Sequence, residues 1–243
     1  MSAPPEHLAT GKPADAGDFI LYRRLRLARR HHGTWGGILL DFGCGNGAQT
    51  SMFRPHVDQV WGLDIDPGFL RAFDALHPDD PGWRSVRYDG HRVPLEDACA
   101  DIVTSFEVLE HVTDEAGALD EMTRLLRPGG TLILSVPNRW WIFETHGARL
   151  PLLPWNRMPF FSWLPKSLHD RWAHARNYRR REIVAKLRDR GFEIQHASYI
   201  TAPMDVVRWK FLRDLLRATL ARPDETKIPL MATAVLVVAS KPG

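Results

Sequence analysis

The chain has 243 residues, of which 44% are hydrophobic and 25% are charged, and this length and balance suit one globular domain with its own core. Its 32 basic and 29 acidic residues leave a net charge of +3, which is too small an excess for a dedicated nucleic-acid-binding protein. No apolar run reaches the roughly 18 residues of a membrane-spanning helix, so we expect none.

Residues 1–17 are polar and rich in proline, and they lack the apolar stretch of a signal peptide. We therefore predict a flexible tail there and a single domain over 18–243. Cys44 and Cys99 lie far apart in a sequence without an export signal, which argues against a disulfide framework and indicates a cytoplasmic protein. Arginines cluster at 23–30 and 176–181, and we interpret both clusters as solvated helix faces, the commoner role of such runs.

Helical and strand patterns alternate along the chain. The predicted elements, in chain order, are a helix at 18–32, strands at 38–42 and 60–64, a helix beginning at Pro67, strands at 85–88 and 101–106, a helix at 114–126, a strand at 131–136, a helix at 180–190, a strand at 192–200, a helix at about 204–221 and a strand at 231–239. Strands that alternate with helices build βαβ units. We therefore predict an α/β fold with a parallel, doubly wound sheet covered on both faces.

A long irregular segment, 138–178, separates the fifth predicted strand from the helix at 180. It holds five of the nine tryptophans, together with four prolines. A connection of this length inside a domain is usually a functional loop, and apolar pockets are the usual sites of small ligands. We predict a lid over an apolar or ring-shaped ligand, with a satellite core under a long loop as the alternative.

The stretch 40–47 (LDFGCGNG) follows the first strand and places three glycines close together. Glycines there let the main chain turn sharply and approach a ligand, and ligands of parallel sheets bind at the carboxyl ends of the strands. Asp64 ends the second strand, where a carboxylate can accept hydrogen bonds from both hydroxyls of a ribose. The pattern also suits a nicotinamide dinucleotide, because Ala48 fits the variant G-x-G-x-x-A fingerprint. A glycine-rich turn without a ligand is the third alternative.

Five motifs resemble, in order, those of the class I S-adenosylmethionine (SAM)-dependent methyltransferases, and more narrowly the type 11 methyltransferases. They are LLDFGCGNG for the first motif, VWGLDIDP for the second strand, YDG after the third, DIVTSFEVLEHV for the fourth and LLRPGGTLILSVPN for the fifth, and they lie between residues 38 and 138. The resemblance implies a Rossmann-like fold with a mostly parallel seven-stranded sheet. Its last strand, here 231–239, would be antiparallel.

The resemblance also implies cofactor contacts. The three glycines would lie against the methionine part of SAM, and Asp64 would hold the ribose. Asp41 would fix the amino group of SAM, with a strand-end acid bonded to its neighbours as the alternative. Asp89 would face the adenine, with a turn residue as the alternative, and Asp66 is interpreted as a helix cap. The full predicted cofactor set is Asp41, Gly43, Gly45, Gly47, Asp64, Ile65, Asp89, Gly90 and Phe106.

Candidate catalytic residues follow the fourth strand in the stretch EVLEH. If this stretch is helical, Glu107, Glu110 and His111 share one face and can hold a divalent ion such as Mg²⁺ that acidifies an acceptor hydroxyl. The E-x-x-E-H pattern is similar to that of polyprenyl dihydroxybenzene O-methyltransferases and of the methyltransferases of small-RNA 3′ ends. A metal-free role for His111 as a base or positioning group is the alternative. His146 is a further candidate catalytic residue or ligand, although Glu144 and His146 could instead hydrogen-bond within the lid.

Methyl transfer from a sulfonium is an in-line displacement in which the protein aligns the reactants and excludes water. We predict O-methylation of a hydroxyl on a small ring-containing or apolar acceptor. Three alternatives stay open: metal-assisted 2′-O-methylation of RNA, a SAM-binding module without catalysis, and a nicotinamide-dependent dehydrogenase.

Overall fold

An eight-stranded sheet forms the centre of the fold. The computed structural model describes residues 19–143, 148–150, 153–155, 159–207 and 209–243, so the predicted tail at 1–17 lies outside the described residues. The strands are β1 Ile38–Phe42, β2 Gln59–Asp64, β3 Trp83–Arg87, β4 Ala100–Phe106, β5 Leu126–Pro137, β6 Ala148–Leu150, β7 Leu153–Trp155, β8 Glu193–Thr201, β9 Glu225–Thr226 and β10 Ala232–Ser240. The helices are α1 Phe19–His31, α2 Ala48–Ser51, α3 Pro67–Asp74, α4 Glu115–Leu125, α5 Lys166–Trp172, α6 Arg180–Arg188 and α7 Lys210–Ala218.

The strand order across the sheet is β3-β2-β1-β4-β5-β10-β8-β9. Strands β1 to β5 pair in parallel, whereas β10 runs antiparallel to both β5 and β8. The predicted α/β class, with its mostly parallel sheet and reversed last strand, is confirmed.

The sheet has one strand more than the seven predicted. Strand β9 pairs antiparallel with the end of β8, where Thr226 lies opposite Tyr199 and Glu225 opposite Ile200. Two residues are too few to show a period-two pattern, so the sequence carries no signal for this strand. A separate hairpin, β6–β7, lies within the 138–178 segment.

Side chains of successive residues in a strand point to opposite faces of the sheet. Leu40 lies in a core built with α4 and α6, whereas Leu39 lies in a second core built with α1 and α3. Both leucines are fully buried, and burying a leucine side chain contributes about 1.5–3 kcal/mol. The two cores hold the sheet rigidly, so the ends of its strands have fixed positions.

Helix α7 is shorter than predicted. The pattern indicated a helix at 204–221, but Met204 has a φ of 60°, which lies in the left-handed region, and the helix covers only Lys210–Ala218. Leu216 packs in a small apolar cluster with Trp141, while Phe211 on the same helix is exposed. None of the helices in the described ranges combines the length and the apolarity needed to cross a membrane.

Candidate active site

The carboxyl ends of β1, β2 and β4 lie side by side, and residues 43–47 form a tight turn directly after β1. The N–H groups of Gly43 and Cys44 both donate to the Leu63 carbonyl oxygen, at 2.8 and 2.9 Å. Gly43 and Gly47 have φ values of 79° and 81°, in the region that favours glycine. A Cβ on Gly43 would lie 2.4 Å from Cγ2 of Val108, so the turn packs directly against the residues that follow β4.

Asp64 stands at the end of β2 with its carboxylate bonded to the glycine turn. Its Oδ2 accepts a hydrogen bond from the N–H of Gly45 at 3.0 Å, and its Oδ1 accepts one from the N–H of Asp66 at 2.9 Å. An ionised carboxylate has about four acceptor positions, so each oxygen keeps capacity for a further donor. The residue is only 8% exposed, which limits its partners to the turn and a ligand that reaches this edge.

The start of α3 fixes the chain just beyond Asp64. Asp66 caps this helix by accepting hydrogen bonds from the N–H groups of Gly68 and Phe69, at 2.6 and 3.3 Å, so its interpretation as a cap is confirmed. Ile65, between the two acids, is 47% exposed, and its Cγ2 lies 3.8 Å from the position of a Cβ on Gly90. An apolar side chain this exposed beside Asp64 can cover a purine ring.

Asp89 is exposed and bonded within its own turn. Its Oδ1 accepts hydrogen bonds from the N–H groups of His91 and Arg92, at 2.9 and 3.2 Å. These bonds lower the pKa of the Asp89 carboxyl. The contacts match the alternative of a turn residue, and the contact with an adenine amino group stays a prediction.

Asp41 lies in the interior near the end of β1. Its Oδ1 accepts a hydrogen bond from the Thr104 hydroxyl at 2.7 Å, and its Oδ2 accepts one from the Thr50 hydroxyl. Burial raises the pKa of the Asp41 carboxyl to about 6, although the two hydroxyl bonds act in the opposite direction. The geometry favours the alternative in which this acid ties β1 to β4 and α2, and its contact with the amino group of SAM stays a prediction.

The raised pKa of Asp41 makes stability depend on pH. Because the carboxyl titrates near 6 in the folded chain, against an ordinary value of 3.8, its contribution is full below about pH 4 and is lost as the pH rises through 6. We expect the unfolding free energy of Asp41→Asn, relative to wild type, to increase by about 2–3 kcal/mol between pH 4 and pH 7. Chemical denaturation of both proteins across this range measures the difference, and a pH-independent difference would contradict the assignment.

Residues 107–111 form a bend and a turn, not a helix. Glu107 has a φ of 57°, and the N–H of His111 donates to the Val108 carbonyl oxygen at 2.9 Å. The condition on which a shared helical face of Glu107, Glu110 and His111 depends is therefore not met. The physical reason is that Val108 must pack against Gly43, which requires the chain to bend sharply after β4.

Glu107 is paired with the N-terminal helix. The Arg24 guanidinium lies 3.0 Å from its Oε1, and the Ser135 hydroxyl donates to the same oxygen at 2.7 Å. Arg24 is buried, and its neighbour Arg23 is completely buried, with its guanidinium donating to two main-chain carbonyls. The interpretation of this arginine cluster as a solvated face is wrong for these two residues, because the main-chain carbonyls and the Glu107 carboxylate hold their terminal nitrogens in the interior.

Glu110 and His111 lie beside this ion pair. Glu110 is fully buried, and burial together with the charge of Glu107 raises the pKa of its carboxyl well above the ordinary value. Nε2 of His111 lies 3.9 Å from Oε1 of Glu110.

The end of the 138–178 segment holds this turn in place. The Arg176 N–H donates to the Glu110 carbonyl oxygen at 3.1 Å, and the Tyr178 hydroxyl donates to the Leu109 carbonyl oxygen at 3.2 Å.

Among the described residues, Glu107, Glu110 and His111 are not a set whose ligand atoms all lie within 4.8 Å of one another. In the described ranges, the three-residue set whose ligand atoms all lie within 4.8 Å of one another is a different one, formed by His31, His196 and Glu225. Oε1 of Glu107 already pairs with the Arg24 guanidinium, whose positive charge opposes a cation beside it. His146 and Glu144 lie outside the described residues, so their predicted roles as ligands or lid residues stay predictions.

The aromatic side chains of the 138–178 segment divide into buried and exposed groups. Trp141 is buried against Met204. Trp163 is partly exposed and donates from Nε1 to the Trp140 carbonyl oxygen at 3.3 Å. Phe160 is also exposed, with its ring centroid 5.0 Å from that of Trp163. The buried part anchors the segment to the fold, and the exposed part is available to cover a ligand.

Comparisons with known proteins agree on one family. The family model of a methyltransferase domain matches residues 40–134. A protein of Mycolicibacterium smegmatis, named a probable SAM-dependent methyltransferase, is 30% identical over 177 residues, covering 72% of this chain but only 58% of that protein. A ubiquinone biosynthesis O-methyltransferase of Aromatoleum aromaticum is 30% identical over 179 residues, which cover 70% of each protein.

A solved structure shows the same fold. A SAM-dependent methyltransferase from Mesorhizobium loti superposes with a TM-score of 0.61 at 22% identity, covering 93% of this chain and 100% of the other. The matched family region spans the glycine turn, Asp64 and β4, which also sets aside the alternative of a nicotinamide-dependent dehydrogenase. The chain belongs to the class I SAM-dependent methyltransferase family.

Proposed function

We propose that this protein binds SAM at the carboxyl ends of β1, β2 and β4 and transfers its methyl group to a hydroxyl of a small acceptor with a ring-containing or apolar body. One observation carries the proposal. The Asp64 carboxylate is held by the N–H of Gly45, in a turn whose glycine at position 43 packs against Val108 with no room for a side chain. A carboxylate fixed beside a turn of glycines suits a ligand that carries a ribose next to a charged, extended tail. The carboxylate can bind the ribose, and the tail can lie close to the main chain of the turn.

The residues at this edge fit SAM. The spare acceptor positions of Asp64 would receive the ribose hydroxyls, the exposed Ile65 side chain would cover the adenine, and the glycine turn would follow the methionine part. When bound, SAM supplies a methyl group already activated by its sulfonium. The chain therefore has mainly to align donor and acceptor and to exclude water.

The acceptor class is inferred from two features. Relatives 29–32% identical are named ubiquinone biosynthesis O-methyltransferases, and the exposed aromatic side chains of Phe160 and Trp163 belong to the segment predicted as a lid. Apolar pockets with few polar groups are the usual sites for such ring-shaped molecules. We therefore propose a phenolic or similar hydroxyl rather than an amine or carbon acceptor.

His111 is our candidate for handling the acceptor proton. Its side chain is 12% exposed and lies beside the buried Glu110. Both residues belong to the turn at 107–111, which packs on the glycine turn. Because positioned acid–base groups contribute about 100-fold or more, we expect His111→Gln to lower kcat by about 100-fold while the Kd for SAM changes less than about twofold. The control is His91→Gln, an exposed residue of a surface turn. Equal kcat values for wild type and His111→Gln would show that His111 does not take part in the reaction.

Metal assistance at Glu107, Glu110 and His111 is the second candidate mechanism, and it rests on the E-x-x-E-H resemblance. The pairing of Glu107 with Arg24 at 3.0 Å favours the metal-free alternative. Turnover measured after chelation decides between them: unchanged turnover supports the metal-free mechanism, and activity that chelation abolishes and Mg²⁺ restores supports the other.

The function as a whole is tested by incubating the protein with methyl-labelled SAM and, in turn, with simple dihydroxybenzenes, with their alkylated forms and with RNA. We expect label in simple dihydroxybenzenes and their alkylated forms. Label in RNA, lost as salt is raised, would instead favour the RNA alternative. SAM binding without transfer to any acceptor would favour the non-catalytic module.

A further inference from the structure

A cluster of metal-ligating side chains lies away from the candidate active site. His31 is the last residue of α1, His196 lies in β8 and Glu225 lies in the edge strand β9; we call these three residues the His31 cluster. The imidazole rings of His31 and His196 stack with centroids 3.4 Å apart and planes 5° apart. Three elements remote in sequence thus bring two imidazoles and a carboxylate to one point.

The distances within the cluster lie on either side of those between the ligands of a small tetrahedral ion. With zinc–nitrogen and zinc–oxygen bonds of 2.0–2.2 Å, two ligand atoms of a tetrahedral site are about 3.4 Å apart. Nε2 of His196 lies 2.8 Å from Oε2 of Glu225, and Nε2 of His31 lies 3.9 Å from Oε1 of the same carboxylate. All three ligand atoms are within 4.8 Å of one another. To bind one ion, the two imidazole rings would also have to tilt out of their parallel stack, because a metal lies in the plane of each imidazole that binds it.

The environment of the cluster suits an ion that reaches it from solvent. Nε2 of His31 is inaccessible to solvent and has no hydrogen-bond partner among the described residues, and buried polar atoms in native proteins are rarely left without a partner. The side chains of the cluster are 21–30% exposed, and His31 borders an open cleft of about 550 Å³ that also contacts Asp101 and Arg127. The cluster is therefore partly sheltered yet reachable.

One positive group competes for the carboxylate. The Arg30 guanidinium lies 3.8 Å from Oε1 of Glu225 and is 53% exposed. An exposed arginine at this distance is held weakly, because surface ion pairs contribute at most about 1 kcal/mol, and it can turn towards Asp224, which it already approaches to 3.7 Å. A cation at the cluster would thus displace a weak contact, not a buried ion pair.

We propose that His31, His196 and Glu225 form a zinc site with three protein ligands that fastens the end of α1 to the β8–β9 edge of the sheet. Two imidazoles and one carboxylate are a ligand set that zinc commonly takes, with a fourth position open to water. The site would stabilise the helix that also carries Arg24, and hence the pairing of Arg24 with Glu107. This proposal is independent of the proposed methyl transfer.

Zinc titration of the full chain, followed by calorimetry and thermal unfolding, tests the site. We expect one zinc per chain, with Tm rising by about 5–10 °C when free zinc is 100 times Kd. His196→Gln and Glu225→Gln should each weaken zinc binding at least about tenfold. In chelator, both variants should unfold as cooperatively as wild type, which shows that they fold.

Two controls separate this site from other histidines. His91→Gln and His111→Gln should bind zinc like wild type, and a loss in His111→Gln alone would place the ion at the E-x-x-E-H turn instead. Wild type that binds no zinc, or cluster variants that bind it unchanged, would overturn the proposal. In that case the cluster consists of the stacked rings of His31 and His196 and the hydrogen bond between His196 and Glu225. SAM binding measured in the same samples reports separately on the proposed function.

Discussion

Asp64→Ala is expected to weaken SAM binding by about 1,000-fold. Each hydrogen bond from a ribose hydroxyl to a carboxylate is worth about 1.5–3 kcal/mol, and the variant removes two of them. It also leaves the N–H groups of Gly45 and Asp66 without the acceptor they have at 3.0 and 2.9 Å, so the glycine turn loses its anchor. Calorimetric titration of SAM into both proteins measures the effect.

The neighbouring acid supplies the matched control. Asp66 lies two residues away and caps α3, so Asp66→Ala should cost about 1 kcal/mol of stability and change SAM affinity only slightly. The comparison separates loss of a ligand contact from general weakening of this edge. If Asp64→Ala and Asp66→Ala bind SAM equally well, the ribose contact is wrongly assigned.

Gly43→Ala is expected to destabilise the fold by about 2–5 kcal/mol and to lower SAM affinity at least tenfold. The new Cβ would lie 2.4 and 2.7 Å from the two methyl carbons of Val108, and overpacking of this kind costs about 1–3 kcal/mol. The φ of 79° adds about 1–2 kcal/mol for a residue with a side chain. Denaturation curves and SAM titrations measure both effects.

A double variant divides the cost of Gly43→Ala into its two parts. Val108→Ala removes the two methyl carbons, so Gly43→Ala/Val108→Ala should recover the steric part and keep the backbone part. Gly33→Ala is the control, because a Cβ there meets nothing within 4 Å, and its stability should stay within about 0.5 kcal/mol of wild type. A Gly43→Ala protein as stable as Gly33→Ala would mean that the turn is not packed as described.

The parts of the site that follow from local chemistry could be predicted from sequence. The glycine turn, the acid at the end of β2 and the cap at Asp66 each depend on residues within a few positions of one another. The alternation of strands and helices likewise fixed the parallel sheet, since short connections leave few topologies. Within this sheet, β9 has only two residues and was too short to leave a pattern.

The parts that depend on distant residues could not be predicted. Arg24 and Glu107 are 83 positions apart (107 − 24), and nothing in an arginine-rich helix indicates which of its side chains turn inward. The E-x-x-E-H stretch has helical spacing, but its geometry is decided by the packing of Val108 on Gly43. The His31 cluster joins α1, β8 and β9, and it becomes visible only after the sheet order is known.

Asp41 illustrates how a residue of a binding motif can also hold strands and helices together. The resemblance assigned it to the amino group of SAM, but its oxygens accept hydrogen bonds from Thr50 and Thr104. Such bonds hold the first strand against its neighbours, and thereby hold the turn that begins two residues later. These bonds favour a role in positioning the glycine turn, and the contact of Asp41 with the amino group of SAM stays a prediction.

Calorimetric titration with SAM, and then with its demethylated product S-adenosylhomocysteine, tests the central claim most directly. We predict saturable binding of both ligands at one site per chain, no response to NAD, and loss of the SAM response in Asp64→Ala. A wild-type protein that is folded by circular dichroism and yet releases or absorbs no heat with either ligand would contradict the account.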